Sequence, residues 1–273
     1  MTPPPARLVA CDLDDTLVRR DGTLSARNAT AVRAAQDAGI VVIVATGRPW
    51  QWTLDVARRH DLRPTAVCSN GACLADVATG ALEITGLAAD AAATILDRAR
   101  AVVPSITFAV DAHERLAHEP GFLDQLPDDI DLLGDTTVED LAPLLAGGVV
   151  KLIARAPGVP GGELAATLDA EVLDGVAVPH AGTGEWVELL ANGVSKASGI
   201  AVVCDRLGIE VAEVVAVGDG WNDVAMLEWA GLGVAVGNAS GLALDAADRV
   251  VAAAVDDGVA ELLEELTSAR LAA

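Results

Sequence analysis

Three short apolar runs in this chain stop abruptly at polar residues. Leu8-Val9-Ala10-Cys11 ends at Asp12-Leu13-Asp14-Asp15-Thr16, Ile40–Ala45 ends at Thr46-Gly47-Arg48-Pro49, and Val214–Val217 ends at Gly218-Asp219-Gly220. Each run has the length of a buried strand and is bounded by the residues that break strands. Helix-length stretches separate them. Ser25 is placed to cap a helix over Ala26–Ala38 that Gly39 closes, and a second helix reaches about His60 before a strand near Thr65–Cys68. Beyond the middle of the chain come a helix over Lys196–Leu207, a helix over Asp223–Trp229, a strand Gly233–Val236 stopping at Gly237-Asn238, and an amphipathic helix over Val259–Leu271. Alternating strands and helices imply an α/β fold with a parallel sheet covered on both faces. Ligands bind such sheets at the carboxyl ends of the strands, where the polar stops fall.

Residues 80–187 follow a different grammar. They are rich in Gly, Pro and Asp, and their strand candidates, Ile106–Val110, Val149–Ala154 and Val176–Pro179, are separated by helix-like stretches. This predicts an inserted α+β domain over 80–187 within a core made of 1–79 and 188–273. A chain of 273 residues accommodates two such units without staples.

The net charge is −22, from 18 Lys and Arg against 40 Asp and Glu. Nucleic acids and anionic membranes require a basic face, so neither is an expected partner. An anionic substrate would need positive charge gathered at its site. No stretch approaches the ~20 apolar residues of a membrane span, and Met1-Thr2-Pro3-Pro4-Pro5 has no apolar signal core. The cysteines Cys11, Cys68, Cys73 and Cys204 form no Cys-x-x-Cys pair, so buried free thiols and a cytoplasmic setting are expected.

The chemistry concentrates at Asp12 and Asp14. In extended chain the two point the same way, and carboxylates held that close repel unless a cation or a proton lies between them. A divalent metal beside an aspartate nucleophile uses both. Taken alone, Asp12, Asp14 and Asp15 fit a solvated turn equally well.

Four segments in order change that balance: Asp12-Leu13-Asp14-Asp15-Thr16, Ala45-Thr46-Gly47-Arg48, Asn192-Gly193-Val194-Ser195-Lys196, and Gly218-Asp219-Gly220-Trp221-Asn222-Asp223. Together with Ser69-Asn70-Gly71-Ala72 and Gly233–Ala239 they resemble the haloacid-dehalogenase-like phosphatase superfamily, and within it the Cof-type sugar-phosphatase-like group. Asp15 stands where many members have Gly; the Cof-type group commonly has Asp there.

The resemblance implies a Rossmann-like parallel core and a substrate-selecting cap at 80–187. It implies a magnesium-dependent phosphatase that attacks a small phosphorylated metabolite, such as a sugar phosphate, through an aspartyl-phosphate, as a monomer or homodimer. Asp12 would be the nucleophile and Asp14 the general acid/base. Thr46, Gly47, Lys196 and Asn222 would bind phosphate, with Thr46 and Lys196 serving catalysis. Asp12, Asp14 (through its carbonyl) and Asp219 would hold the metal, with Asp223 as metal support or helix cap. A phosphomutase or phosphotransferase using the same aspartyl-phosphate is the competing chemistry, and a non-catalytic regulatory module is a third reading.

Arg48 has two readings, contact with substrate or anchoring of its loop through a carboxylate, and the second is the one favoured. Glu188 acquires no role. The histidines His60, His113, His118 and His180 lack metal-ligand spacing; His113 and His118 are expected at the surface, the alternative being that they face the site from the inserted domain. The five tryptophans are core or interface candidates, with Trp221 a candidate wall of the site.

Overall fold

The computed structural model describes residues 6–62, 65–112, 115–124, 137–138, 140–181 and 184–272. They form two compact units, one from the chain up to Glu83 and from Ser195 onward, the other from Ile84 to Val194.

The first unit carries β1 (Leu8–Cys11), β2 (Val41–Ala45), β3 (Thr65–Cys68), β4 (Cys73–Asp76) and β5 (Leu82–Ile84). The second carries β6 (Thr107–Ala112), β7 (Leu116–His118), β8 (Thr137–Val138), β9 (Val149–Arg155), β10 (Ala177–Ala181) and β11 (Trp186–Ala191). The chain then returns to the first sheet with β12 (Val214–Gly218), β13 (Leu232–Val236) and β14 (Arg249–Val251). The first sheet runs β14-β13-β12-β1-β2-β3-β4-β5.

From β14 to β3 every pairing is parallel, with Leu8 opposite Val41 on one side and Val214 on the other. The sheet becomes mixed where β4 runs antiparallel to β3. The connection there, Ser69–Ala72, permits nothing else, because parallel strands need a crossover of a dozen or more residues.

Alternation along the strands divides the core. Leu8, Ala10, Ile43, Ala45 and Val67 pack against Ile200, Val203 and Cys204 of the helix Lys196–Leu207 and against Met226 and Leu227. On the opposite parity Val9, Cys11, Val42 and Val44 are also buried, and helix Ala26–Asp37 packs on β2 and on the helix Gly258–Ala272. Ser25 caps Ala26–Asp37 by accepting from the Asn28 N–H, as expected. The segment expected as one helix from Asp223 starts as a 3-10 turn, Trp221–Asp223, and becomes α-helical only over Val224–Trp229.

In the second unit the sheet order is β10-β11-β9-β6-β7-β8. One face of this sheet, with Phe108, Val110, Leu152, Ala154, Val187 and Leu189, packs on Ile95, Leu96 and Ala99 of the helix Ala89–Val102 and on Leu164 and Leu168 of Gly161–Leu168. The unit extends to Val194 rather than residue 187 because β11 pairs antiparallel with β9 and β10. That strand was not expected from the sequence. Its alternation is broken by the consecutive leucines Leu189 and Leu190, both buried.

The surface placement expected for His118 is not what the structure shows. His118 is buried, with Nδ1 3.0 Å from the Glu119 carbonyl; His113 lies outside the described residues. All five tryptophans are half-buried. The four cysteines are buried free thiols. Among the described residues no helix is long and apolar enough to cross a membrane.

Candidate active site

β2, β1 and β12 are neighbours and parallel, so their carboxyl ends fall along one edge of the sheet. Asp12 continues β1 by one residue, its N–H donating to the Val217 carbonyl at 2.8 Å. Thr46 continues β2, its N–H donating to the Val67 carbonyl at 2.8 Å. Asp219 follows β12 directly. Three side chains that are far apart in sequence are thereby fixed by backbone ladders.

Lys196 closes the cluster. It opens the helix Lys196–Leu207 behind a capping box in which Ser195 and Ser198 bond each other's backbone. Its ammonium is buried and donates to Asp12 Oδ1 at 2.5 Å and to Asp223 Oδ1 at 2.6 Å. The other oxygen of Asp223 accepts from the N–H groups of Asp219 and Gly220 at 2.9 and 2.8 Å. Asp223 thus caps its own turn and braces Lys196 at once. Gly218 leaves room for this, since a Cβ there would lie 2.5 Å from the Asp223 carboxyl carbon.

Oxygens of Asp12, Asp219 and Asp223 lie within 4.8 Å of one another. One ammonium lies among three carboxylates, of which Asp12 and Asp223 are buried and Asp219 is half-buried. Burial pushes Asp12 well above the usual carboxylate range, with Lys196 pulling the other way. Burial likewise pushes Asp219 up to about 6, against the hydrogen bond it accepts from Thr16 Oγ1 at 2.8 Å. Burial alone would lower Lys196, but the facing carboxylates of Asp12 and Asp223 outweigh it and hold the ammonium charged. Hard oxygen donors carrying uncompensated negative charge suit a small divalent cation such as magnesium.

The expected phosphate-binding residues gather on the adjoining loops. Thr46 Oγ1 accepts from the Arg48 N–H at 3.1 Å. Asn222 Nδ2 donates to Asn70 Oδ1 at 2.9 Å, and both amides lie beside Gly47. The turn Ser69–Gly71 holds Asn70 in the left-handed region at φ 54° and presses against the start of the lysine helix. At Gly71, with φ 99°, a Cβ would fall 2.0 Å from the Ser195 carbonyl oxygen. Asp14 stands apart from the carboxylate cluster. Its side chain is half-exposed and is gripped by Arg48, the carboxylate anchor expected for that arginine.

Two residues of the site were not singled out in the sequence. Thr16 orients Asp219, and Asn70 holds Asn222. The signal for both was present: Thr16 belongs to the acidic stop after β1, and Ser69-Asn70-Gly71 is the polar stop after β3 on the same sheet edge. Glu188 belongs to the second unit, where it accepts from Lys151 Nζ at 2.5 Å.

Known proteins are similar to this chain over nearly its whole length. A phosphoglycolate phosphatase from Halorubrum lacusprofundi is 31% identical over 97% of this chain and 98% of its own. The 5-amino-6-(5-phospho-D-ribitylamino)uracil phosphatase YitU of Bacillus subtilis is 29% identical over 96% of this chain and 97% of its own. Among solved structures, a haloacid dehalogenase-like hydrolase from Bacteroides thetaiotaomicron superposes with a TM-score of 0.78 at 24% identity, covering 96% of this chain and 99% of that one. The family model for haloacid dehalogenase-like hydrolases matches residues 9–121 and 166–263, and the chain belongs to that family.

Proposed function

We propose that this chain is a magnesium-dependent phosphatase that hydrolyses a small phosphorylated metabolite through an aspartyl-phosphate on Asp12. The observation that carries the reading is the buried ammonium of Lys196 between Asp12 and Asp223, inside a carboxylate cluster at the carboxyl ends of parallel strands. A phosphatase needs a nucleophile, positive charge for the phosphoryl oxygens and a proton donor for the leaving oxygen, and one sheet edge supplies residues for all three. The relatives that match over nearly the whole chain are themselves named as phosphatases of small phosphorylated compounds.

Asp12 and Asp219, with the Asp14 carbonyl and with Asp223 in support, would hold magnesium, whose charge, when bound, offsets that of the phosphoryl group. Lys196 fixes the Asp12 carboxylate through Oδ1 and adds a second positive charge. Asp12 attacks phosphorus; as the ester bond breaks, Asp14 gives its proton to the departing oxygen. Water then attacks the aspartyl-phosphate, Asp14 takes back a proton, and phosphate leaves with Asp12 regenerated. The Thr46 hydroxyl, the backbone N–H groups around Gly47, the Lys196 ammonium and the Asn222 amide would bind phosphoryl oxygens. Donors already fixed by the fold cost no reorganisation as charge shifts onto those oxygens.

The test is phosphate release from a panel containing sugar phosphates, phosphoglycolate, 5-amino-6-(5-phospho-D-ribitylamino)uracil and p-nitrophenyl phosphate, with and without magnesium. Magnesium-dependent release that Asp12→Asn loses by at least about 10⁴-fold is expected. Release by the variant at the wild-type rate would remove Asp12 as nucleophile, and isomerised product in place of free phosphate would convert the enzyme into a mutase.

A further inference from the structure

Among the described residues Arg48 is the cation paired with the proposed acid/base, and hydrolysis as written above gives it no task. It reaches from the loop after β2 to the loop after β1 and grips Asp14 with a fork. Nε donates to Oδ2 at 2.8 Å, and Nη2 donates to Oδ1. The arginine starts from a fixed point. Its N–H donates to Thr46 Oγ1 at 3.1 Å, and its carbonyl accepts from the Ser69 N–H at 2.9 Å. Pro49 follows and restricts the Arg48 backbone further. The backbone of Asp14 is framed too, by the Leu17 N–H on the Asp12 carbonyl and the Val18 N–H on the Leu13 carbonyl, at 3.3 and 2.8 Å.

Exposure decides what the fork is for. The side chains are 32% exposed at Arg48 and 48% at Asp14. Ion pairs that wet contribute little to stability, so holding the loops together is a poor account of the contact. Orientation is a better one. Alone on a turn, a half-exposed aspartate samples several rotamers, whereas a proton donor misplaced by about 1 Å can cost about 10²-fold in rate. The planar guanidinium matches a carboxylate in two parallel bonds and fixes its plane. A carboxylate offers about four lone-pair sites; the fork takes one on each oxygen and leaves the outward ones for chemistry.

We propose that Arg48 is a positioning residue for Asp14, holding the carboxylate so that an outward oxygen site faces first the leaving oxygen of the substrate and then the attacking water. The inference rests on the phosphatase reading. The proton given up as the ester bond breaks and recovered as water adds to phosphorus travels through that outward site, while both bonds from Arg48 stay in place.

The full-length protein with magnesium tests this through two substrates that differ in their need for an acid. An alkyl phosphomonoester, the best of the panel, has a leaving alkoxide that must be protonated; p-nitrophenyl phosphate releases a nitrophenolate that leaves without a proton. Arg48→Gln is expected to lower kcat on the alkyl ester about 100-fold and on p-nitrophenyl phosphate at least tenfold less, with KM for both nearly unmoved. Arg48→Lys, which keeps the charge but not the fork, falls between. Adding Arg48→Gln to Asp14→Asn leaves the ratio of the two rates where Asp14→Asn put it.

Equal losses on both substrates, or a raised KM with the ratio intact, would make Arg48 a loop staple or a phosphate anchor and overturn the proposal. An unchanged ratio in both single variants, each checked for a wild-type melting temperature, does the same. Failure of the phosphatase reading shows elsewhere, as a wild-type protein that releases phosphate from neither substrate or an Asp12→Asn variant that still turns over.

Discussion

Lys196 and Lys151 are both buried and both donate to a carboxylate at 2.5 Å, yet their surroundings have little in common. Lys196 sits where strands end. Around it the chain has left the sheet, backbone N–H groups are available to Asp223, and three carboxylates from two separate segments, the stops after β1 and β12, gather around one ammonium. Lys151 sits inside a strand. It faces Glu188 on the next strand and lies opposite Asp111 in cross-strand register, while His180 lies opposite Glu188. That row is locked into a ladder, with one ammonium against the carboxylates of Asp111 and Glu188 and His180 neutral, so one negative charge is in excess. At mid-strand the sheet closes this small excess into its own packing. At the strand ends one ammonium meets three carboxylates, and the larger excess leaves hard oxygens for a ligand to balance.

Replacing each lysine tests the contrast most severely. Lys196→Met removes the counter-charge of Asp12 and Asp223, and phosphatase turnover is expected to fall on the order of 10³-fold. Stripping one partner from a buried pair also costs roughly 3 kcal/mol, read as a lower denaturant midpoint, and magnesium should restore part of it. Lys151→Met should likewise lower stability, by roughly 2–3 kcal/mol, because Glu188 and Asp111 lose their cation. Its kcat on p-nitrophenyl phosphate should stay within about threefold of wild type, inside the small effects of changes remote from a site. If Lys151→Met lost turnover as Lys196→Met does, the mid-strand row would belong to the catalytic apparatus and the contrast would collapse.

Asp219→Asn sharpens the same comparison through charge. In the metal-free protein Asp219 is pushed up to about 6 by burial, above the ~3.9 of an unfolded aspartate. Its contribution to stability is then full below the unfolded value and is lost as pH rises through about 6. At pH 8 the metal-free wild type carries that loss, so Asp219→Asn should melt higher by the equivalent of about 2 kcal/mol. Its magnesium requirement should meanwhile rise on the order of 100-fold. A metal-free variant that melts no higher than wild type at pH 8 would show that the site's excess charge is relieved in some other way.

These effects follow from side chains the sequence exposed unequally. Asp12, Thr46 and Asp219 were legible because each follows a short apolar run, and a parallel sheet brings such stops to one edge whatever the loop lengths. Lys196 was legible only through its neighbours, since a lone lysine at a helix start is ordinarily a solvated charge; its burial depends on the carboxylates it meets. Asn70 went unremarked as a site residue because its place depends on the tight turn between β3 and β4, which also makes the sheet mixed. The row around Lys151 was illegible for a different reason. Cross-strand neighbours are set by register, and the register of Asp111, Lys151, Glu188 and His180 involves strands up to 77 positions apart, from Asp111 to Glu188. The strand that carries Glu188 was not anticipated at all.

The smallest expected effect lies in that row. Burial lowers the affinity of His180 for a proton; Glu188 opposes this and Lys151 reinforces it. A histidine held neutral by the fold contributes fully above its unfolded value of ~6.5, and that contribution is lost as pH falls through the lower folded value. The wild type should therefore lose melting temperature on acidification from pH 7 toward 5 beyond what His180→Gln loses, because glutamine has no proton to take up. The sign is opposite to that of Asp219, where acid stabilises the metal-free protein, so the two variants should separate in sign when melting is followed from pH 8 to 5 in the presence of a chelator. Parallel melting curves for wild type and His180→Gln would mean that Glu188 neutralises the burial penalty at His180 completely. The mid-strand row would then lose no stability through His180 on acidification.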